Sequence, residues 1–281
     1  MKASIDHLPE TKQTKLAAIA GAIRAEAPAA GMIVLFGSHA RGDWVEDAET
    51  GYQSDYDLLV VVESAEAVED HALWTRVEAA ARSLAEPSPV TVIVHDFREL
   101  NQQIRRGQFF FAEVWEQGVV LYDAKRFTLA TPKGGTAAER KALAEEYFDQ
   151  WFTSAYGFFK NYKFSVGEGD LNIAAFLLHQ ATERYLTTAL LVFTGKKPHT
   201  HDIEALGKLV AAEHPLLSEP FPMATAADER LFKLLKRAYI ESRYSKSYRI
   251  TAEELGTLGE RVRDLAGRVE RACRERIEGL G

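Results

Sequence analysis

The stretch LFGSHARGDW, residues 35–44, runs an apolar segment into Gly37 and Ser38 and then into charge, and QSDYDLLVVV, residues 53–62, soon opens a second apolar run with two aspartates. Glycine lets a strand turn sharply because no side chain stands in the way, and the turn leaves backbone amides and the Ser38 hydroxyl facing outward, where phosphate oxygens can be held. Asp55 and Asp57 lie two apart at a strand start. Their carboxylates therefore project from one sheet face while Tyr56 points to the other. Two such carboxylates repel unless a cation lies between them, and a hard divalent ion such as magnesium takes oxygen ligands. The alternative is a solvated pair that caps the strand entrance beside Ser54.

The chain around these motifs is long enough for two domains: 281 residues, 46% hydrophobic and 27% charged. No run of about 18 apolar residues is present and the N-terminal residues lack an apolar centre, so the chain reads as cytoplasmic, with no membrane partner. The one cysteine, Cys273, has no disulfide or metal-ligand partner at a useful spacing. A formal net charge of -7 does not attract polyanions, so nucleic acid is not expected as a partner.

From about residue 31 to 122, β-branched runs (MIVLF, DYDLLVVV, PVTVIV, GVVLYD) alternate with helical patterns, of which EAVEDHALWTRVEAAARSLAE is the clearest. That is an α/β signature. Beyond it only helical periodicity remains, with helices expected over 137–165, 170–194, 202–213, 226–245 and 252–278. Capping boxes at Thr136/Glu139, Thr225/Asp228 and Thr251/Glu254 mark three of the starts. The expected organisation is an α/β domain over 1–130 (a mixed sheet with flanking helices), a linker over 131–136 and an all-α bundle over 137–281.

FGSHARGDW followed by SDYDLLVVV resembles the signature of the DNA polymerase β-type nucleotidyltransferases, a group that includes kanamycin nucleotidyltransferase and the minimal enzymes of toxin–antitoxin pairs. The likeness covers about residues 30–122. Sixteen residues separate Ser38 from Asp55, more than in the minimal versions, and EDAETGYQ is expected to form a longer loop over the site. The resemblance implies that Gly37 and Ser38 hold the phosphates of a nucleoside triphosphate, with Arg41 as an extra cation, and that Asp55 and Asp57 coordinate Mg2+, one ion or two. It also implies that an acceptor hydroxyl attacks the α phosphorus with release of pyrophosphate. Family members usually carry a third acid in a neighbouring strand. PVTVIVHDF presents Thr91, Ile93 and His95 on one face and has Asp96 only at its end, so His95, Asp96 or Glu113 would have to serve, or the site binds without efficient turnover.

In the helical half, FLLHQATERYLTTALLVFTGKKPHTHDIEAL with AYIESRYSKSYRI resembles a HEPN domain, over about residues 137–278. Leu171, Ala174, Leu178, Ala181, Tyr185 and Val192 form a core stripe. His179, Glu183 and Arg184 either border a pocket or are hydrogen-bonded within the bundle. Lys236, Arg237, Arg243, Lys246 and Arg249 interleave with Tyr239, Tyr244 and Tyr248, a composition that can hold a phosphate and stack a base, and Arg243 and Tyr244 are the expected nucleotide contacts. HEPN ribonucleases use an arginine four to six residues before a histidine. None of the eight histidines has one, which disfavours ribonuclease activity. Two readings follow: a nucleotidyltransferase acting on a small-molecule or protein hydroxyl, or a nucleotide-binding regulatory module. A homodimer is expected from the association habits of such bundles.

Overall fold

The computed structural model describes residues 1–2, 4–49, 51–217 and 219–280. The chain divides into two compact units, Met1–Gly135 and Thr136–Gly281.

The N-terminal unit opens with α1 (Glu10–Glu26), an element additional to those expected. Strand β1 (Met32–Phe36) leads into one helical turn, α2 (Gly37–Arg41). The segment expected as an open loop contains a two-stranded ribbon, β2 (Glu46–Asp47) paired with β3 (Tyr52–Gln53). Then come β4 (Tyr56–Val62), α3 (Ala65–Val68), α4 (His71–Ala85), β5 (Val90–Asp96), α5 (Phe97–Arg106), α6 (Phe109–Gln117) and β6 (Val119–Asp123). The single helix expected over the EAVEDHALW segment is thus two, because Asp70 accepts the Leu73 amide and starts α4 afresh.

The four-stranded sheet has the order β5-β4-β1-β6, with β1 antiparallel to both neighbours and β4 parallel to β5. Both faces of β1 and β4 are covered, which is why they read as unbroken apolar runs. Tyr56, Leu58 and Val60 pack with Leu16 and Ile19 of α1 and Val77 of α4. Leu59 and Val61 pack the other way, with Leu100 and Ile104 of α5 and Val114 of α6. The alternation carries Asp57 onto the α5/α6 face.

The second unit contains α7 (Ala137–Glu168), α8 (Leu171–Thr194), α9 (Ile203–Glu213), α10 (Ala226–Tyr244) and α11 (Ala252–Glu278), close to the expected bounds. Helix α8 touches each of the other four. Its buried threonines back-bond to carbonyls one turn earlier, Thr182 to Leu178, Thr187 to Glu183 and Thr188 to Arg184, so their hydroxyls are satisfied inside an apolar core. Thr136/Glu139 and Thr251/Glu254 form full capping boxes. Thr225 caps α10 without one: Asp228, a methylene shorter than glutamate, accepts from the Thr225 hydroxyl at 2.6 Å instead of reaching the backbone amide. Gly134 and Gly135, both at positive φ, precede the first box.

Thr251→Ala removes the acceptor for the Glu254 amide and is expected to cost about 1 kcal/mol. A urea midpoint shifted down at unchanged slope checks this.

Candidate functional site

The antiparallel register sets Phe36 opposite Asp57, which brings the residue after Phe36 against the Asp57 side chain. Gly37 has φ +70°, and a Cβ there would collide with Asp57 Oδ2 and lie 3.0 Å from Cγ. The absent side chain therefore serves two purposes: it permits the left-handed conformation, and it leaves room for the carboxylate.

Burial is the main reason that the Asp57 carboxyl is pushed up to about 6; the negative charge of Asp55 adds to it, and Arg41 opposes it. Asp55, just ahead of β4, and Asp57, within it, thus act on each other electrostatically. Arg41, half-buried, places Nε 3.1 Å from Asp43 Oδ2 and a terminal nitrogen 3.4 Å from Glu113 Oε1. The pair, the turn and Arg41 are gathered at one end of β1 and β4.

His39 is a residue whose part the sequence reading did not foresee. It is buried on the opposite face, tilted against Tyr56 at 4.3 Å and stacked on Trp44 at 5.7 Å, and its Nδ1 donates to the Asp55 carbonyl at 2.9 Å. Burial holds its pKa below the usual histidine range, so the ring is neutral and fixes the backbone at the strand entrance. Its place inside the turn segment was the one available signal.

The parallel register sets Thr91 beside Asp57, and the Thr91 hydroxyl lies 3.4 Å from Asp55 Oδ2. A hydroxyl rather than an acid thus stands beside Asp57 on β5. Of the three acids or imidazoles considered as substitutes, Asp96 is committed as the N-cap of α5, accepting the amides of Arg98 and Glu99 at 2.9 and 3.0 Å. His95 is four residues along β5 from Thr91, roughly 13 Å at strand rise, and lies 3.6 Å from Glu99. Neither reaches the pair. Glu113 shares Arg41 with it. Among the described residues no group of three or more His, Cys, Asp or Glu side chains is arranged to hold a metal ion. The oxygen donors Asp55 and Asp57 suit a hard cation that draws its remaining ligands from phosphate and water.

In the second unit His179 is fully buried and donates through Nδ1 to the Leu235 carbonyl at 3.0 Å, while Glu183 accepts from His201 Nδ1 at 2.9 Å. Of the alternatives for His179 and Glu183, the hydrogen-bonded one describes them. The basic and aromatic run around α10 sorts differently from its composition. Lys236 pairs with Asp202 and Glu204, and Arg237 pairs with Glu241. Tyr248 is buried, its hydroxyl donating to the Leu234 carbonyl at 3.0 Å, so it cannot stack on a base. Arg243 folds back to donate to the Tyr239 carbonyl while lying 5.0 Å from the ring centre of Tyr244, which is 75% exposed.

Residues 148–272 match the HEPN domain family. The match runs from within α7 to within α11 and so takes in the helix starts at Thr225 and Thr251. No curated protein matches the chain. No helix among the described residues is long and apolar enough to cross a membrane. Helix α8, with its buried His179, lies wholly within the matched region.

Asp57→Asn is expected to stabilise the fold at neutral pH. The folded carboxyl titrates near 6 against 3.8 for its ordinary value, so its ionisation is a full penalty above pH 6 and none below about 4. With solvent screening the gain from asparagine is about 1–2 kcal/mol at pH 7.5, fading as pH falls. Thermal unfolding of both proteins from pH 4 to 8 checks it. Gly37→Ala, by contrast, is expected to lower Tm at every pH, because strain and collision do not titrate.

Proposed function

We propose that the N-terminal unit is a magnesium-dependent nucleotidyltransferase, transferring a nucleoside monophosphate from a triphosphate to a hydroxyl acceptor with release of pyrophosphate. The observation that carries this reading is the Asp55/Asp57 pair at the entrance of β4, with Asp57 desolvated against Gly37 and its carboxyl pushed up to about 6. A part-buried acid pair of this kind is unfavourable for folding alone and becomes favourable with a cation, and strongly perturbed acids cluster at functional sites.

In this reading Asp55 and Asp57 hold one magnesium ion, whose charge would stabilise the triphosphate and the leaving pyrophosphate. Gly37 and Ser38 supply the close backbone approach to phosphate that only a glycine-led turn permits. Arg41 is on hand to pair with a phosphate oxygen in place of its long contact to Glu113. His39 holds the Asp55 backbone so that the carboxylate does not swing away. Arg243 and Tyr244 are a separate proposal for contact with nucleotide, resting on the exposed ring and the neighbouring guanidinium.

A second reading, a nucleotide-binding regulatory module, is favoured by one observation: Thr91 rather than an acid stands beside Asp57. One assay separates the two. The protein is incubated with magnesium, each of the four ribonucleoside triphosphates and a panel of hydroxyl acceptors, with pyrophosphate release and nucleotide binding both measured. The transferase reading expects release that falls by at least about 100-fold in Asp55→Asn, since even the outer partners of metal ligands are worth 10–100-fold. Tight binding without release favours the module. Absence of magnesium-dependent binding to any triphosphate removes both.

A further inference from the structure

We propose that the HEPN domain carries a site for a phosphoryl dianion, built by Arg184 and Lys197 around Trp151. The site is independent of the reading of Asp55 and Asp57.

Arg184 leaves α8 to lie against α7, its guanidinium carbon 5.1 Å from the ring centre of Trp151 and 5.2 Å from that of Phe158, two turns further along. Lys197, in the connection between α8 and α9, brings Nζ to 5.8 Å from the same indole. Two cations therefore converge on one aromatic side chain. Among the described residues neither has a carboxylate partner. The adjacent Glu183 is engaged by His201 at 2.9 Å, and Arg184 Nε is buried without a hydrogen-bond partner. A buried donor left unmade costs free energy, as does bringing like charges together, and stacking on the rings offsets this only in part.

The contrast with other cations of the domain sharpens the point. A cavity of about 330 Å³ along α10 is bounded by Arg230, Lys233 and Arg237, which resembles an anion site until the partners are considered. Arg230 pairs with Glu254, Lys233 with Glu229 and Arg237 with Glu241. That row is neutralised. In a chain of net charge -7, acids are abundant, so an arginine and a lysine held together without one mark a place where the counter-charge comes from outside.

The chemistry of the pair selects the ligand. Arginine presents a planar fork and lysine a point charge, and together they match an anion with two negative charges and several acceptor oxygens, as a terminal phosphate has. A phosphodiester of a polynucleotide carries one charge per unit and fits less well. The indole is already engaged by both cations, so the phosphoryl group rather than a base is what is recognised.

The test uses the full chain in EDTA, so that metal-dependent binding at Asp55 and Asp57 does not contribute. Inorganic pyrophosphate is titrated calorimetrically at low ionic strength, and a single-stranded RNA homopolymer is titrated in parallel. The expected result is one saturable pyrophosphate site, weakened at least ten-fold in Lys197→Met and in Arg184→Met and unchanged in Asp57→Asn. Lys197 lies in a connection between helices, so its variant keeps the fold, and circular dichroism verifies this. Equal affinity in wild type and Lys197→Met, no saturable binding at millimolar pyrophosphate, or binding of RNA alone would each overturn the proposal.

Discussion

The N-terminal unit depends on one close approach: the Asp57 carboxylate fills the space where Gly37 lacks a side chain. The antiparallel register of β1 and β4 creates it, by setting Phe36 opposite Asp57. The apolar alternation of β4 secures that register, since a slip of one residue would carry Asp57 into the layer of α1 and α4 and Tyr56 out of it. About 1–2 kcal/mol of electrostatic cost is thereby held in place by the packing of Leu58, Leu59, Val60 and Val61 below it. The core tolerates the acid because it is anchored elsewhere.

Much of this was legible in the residues. The four long strands follow from apolar runs, and the placement of Asp55 and Asp57 on one face follows from the two-residue period alone. The helical half was readable in part because α7 and α11 start at Thr-x-x-Glu boxes and α7, α8 and α11 stop at glycines, signals confined to a single turn of chain. Less local features were not readable. The division of the helix at Asp70 depends on a cap with no glycine or proline to mark it. The ribbon of β2 and β3 is two residues per strand, too short to show alternation. Nor did composition around α10 tell which cations were already neutralised, because Asp202 and Glu204 reach Lys236 from about thirty residues away in sequence.

The same distinction separates the roles of histidine in the two units. His39 and His179 are each buried, each neutral through desolvation, and each donates Nδ1–H to a distant carbonyl, of Asp55 and Leu235 respectively. In both cases the ring works as a rigid strut between elements. One strut steadies the entrance to the acidic strand. The other ties α8 to α10 within the second unit, where the apolar stripe of α8 supplies the bulk of the packing.

The paired glycines at 134 and 135 and the capping box that follows them have a consequence for how the polypeptide comes into being. Both capping bonds of α7 are made within Thr136–Glu139, so the signal that marks its start is complete once the first turn has been synthesised. The two glycines, at positive φ, turn the backbone immediately ahead of that start.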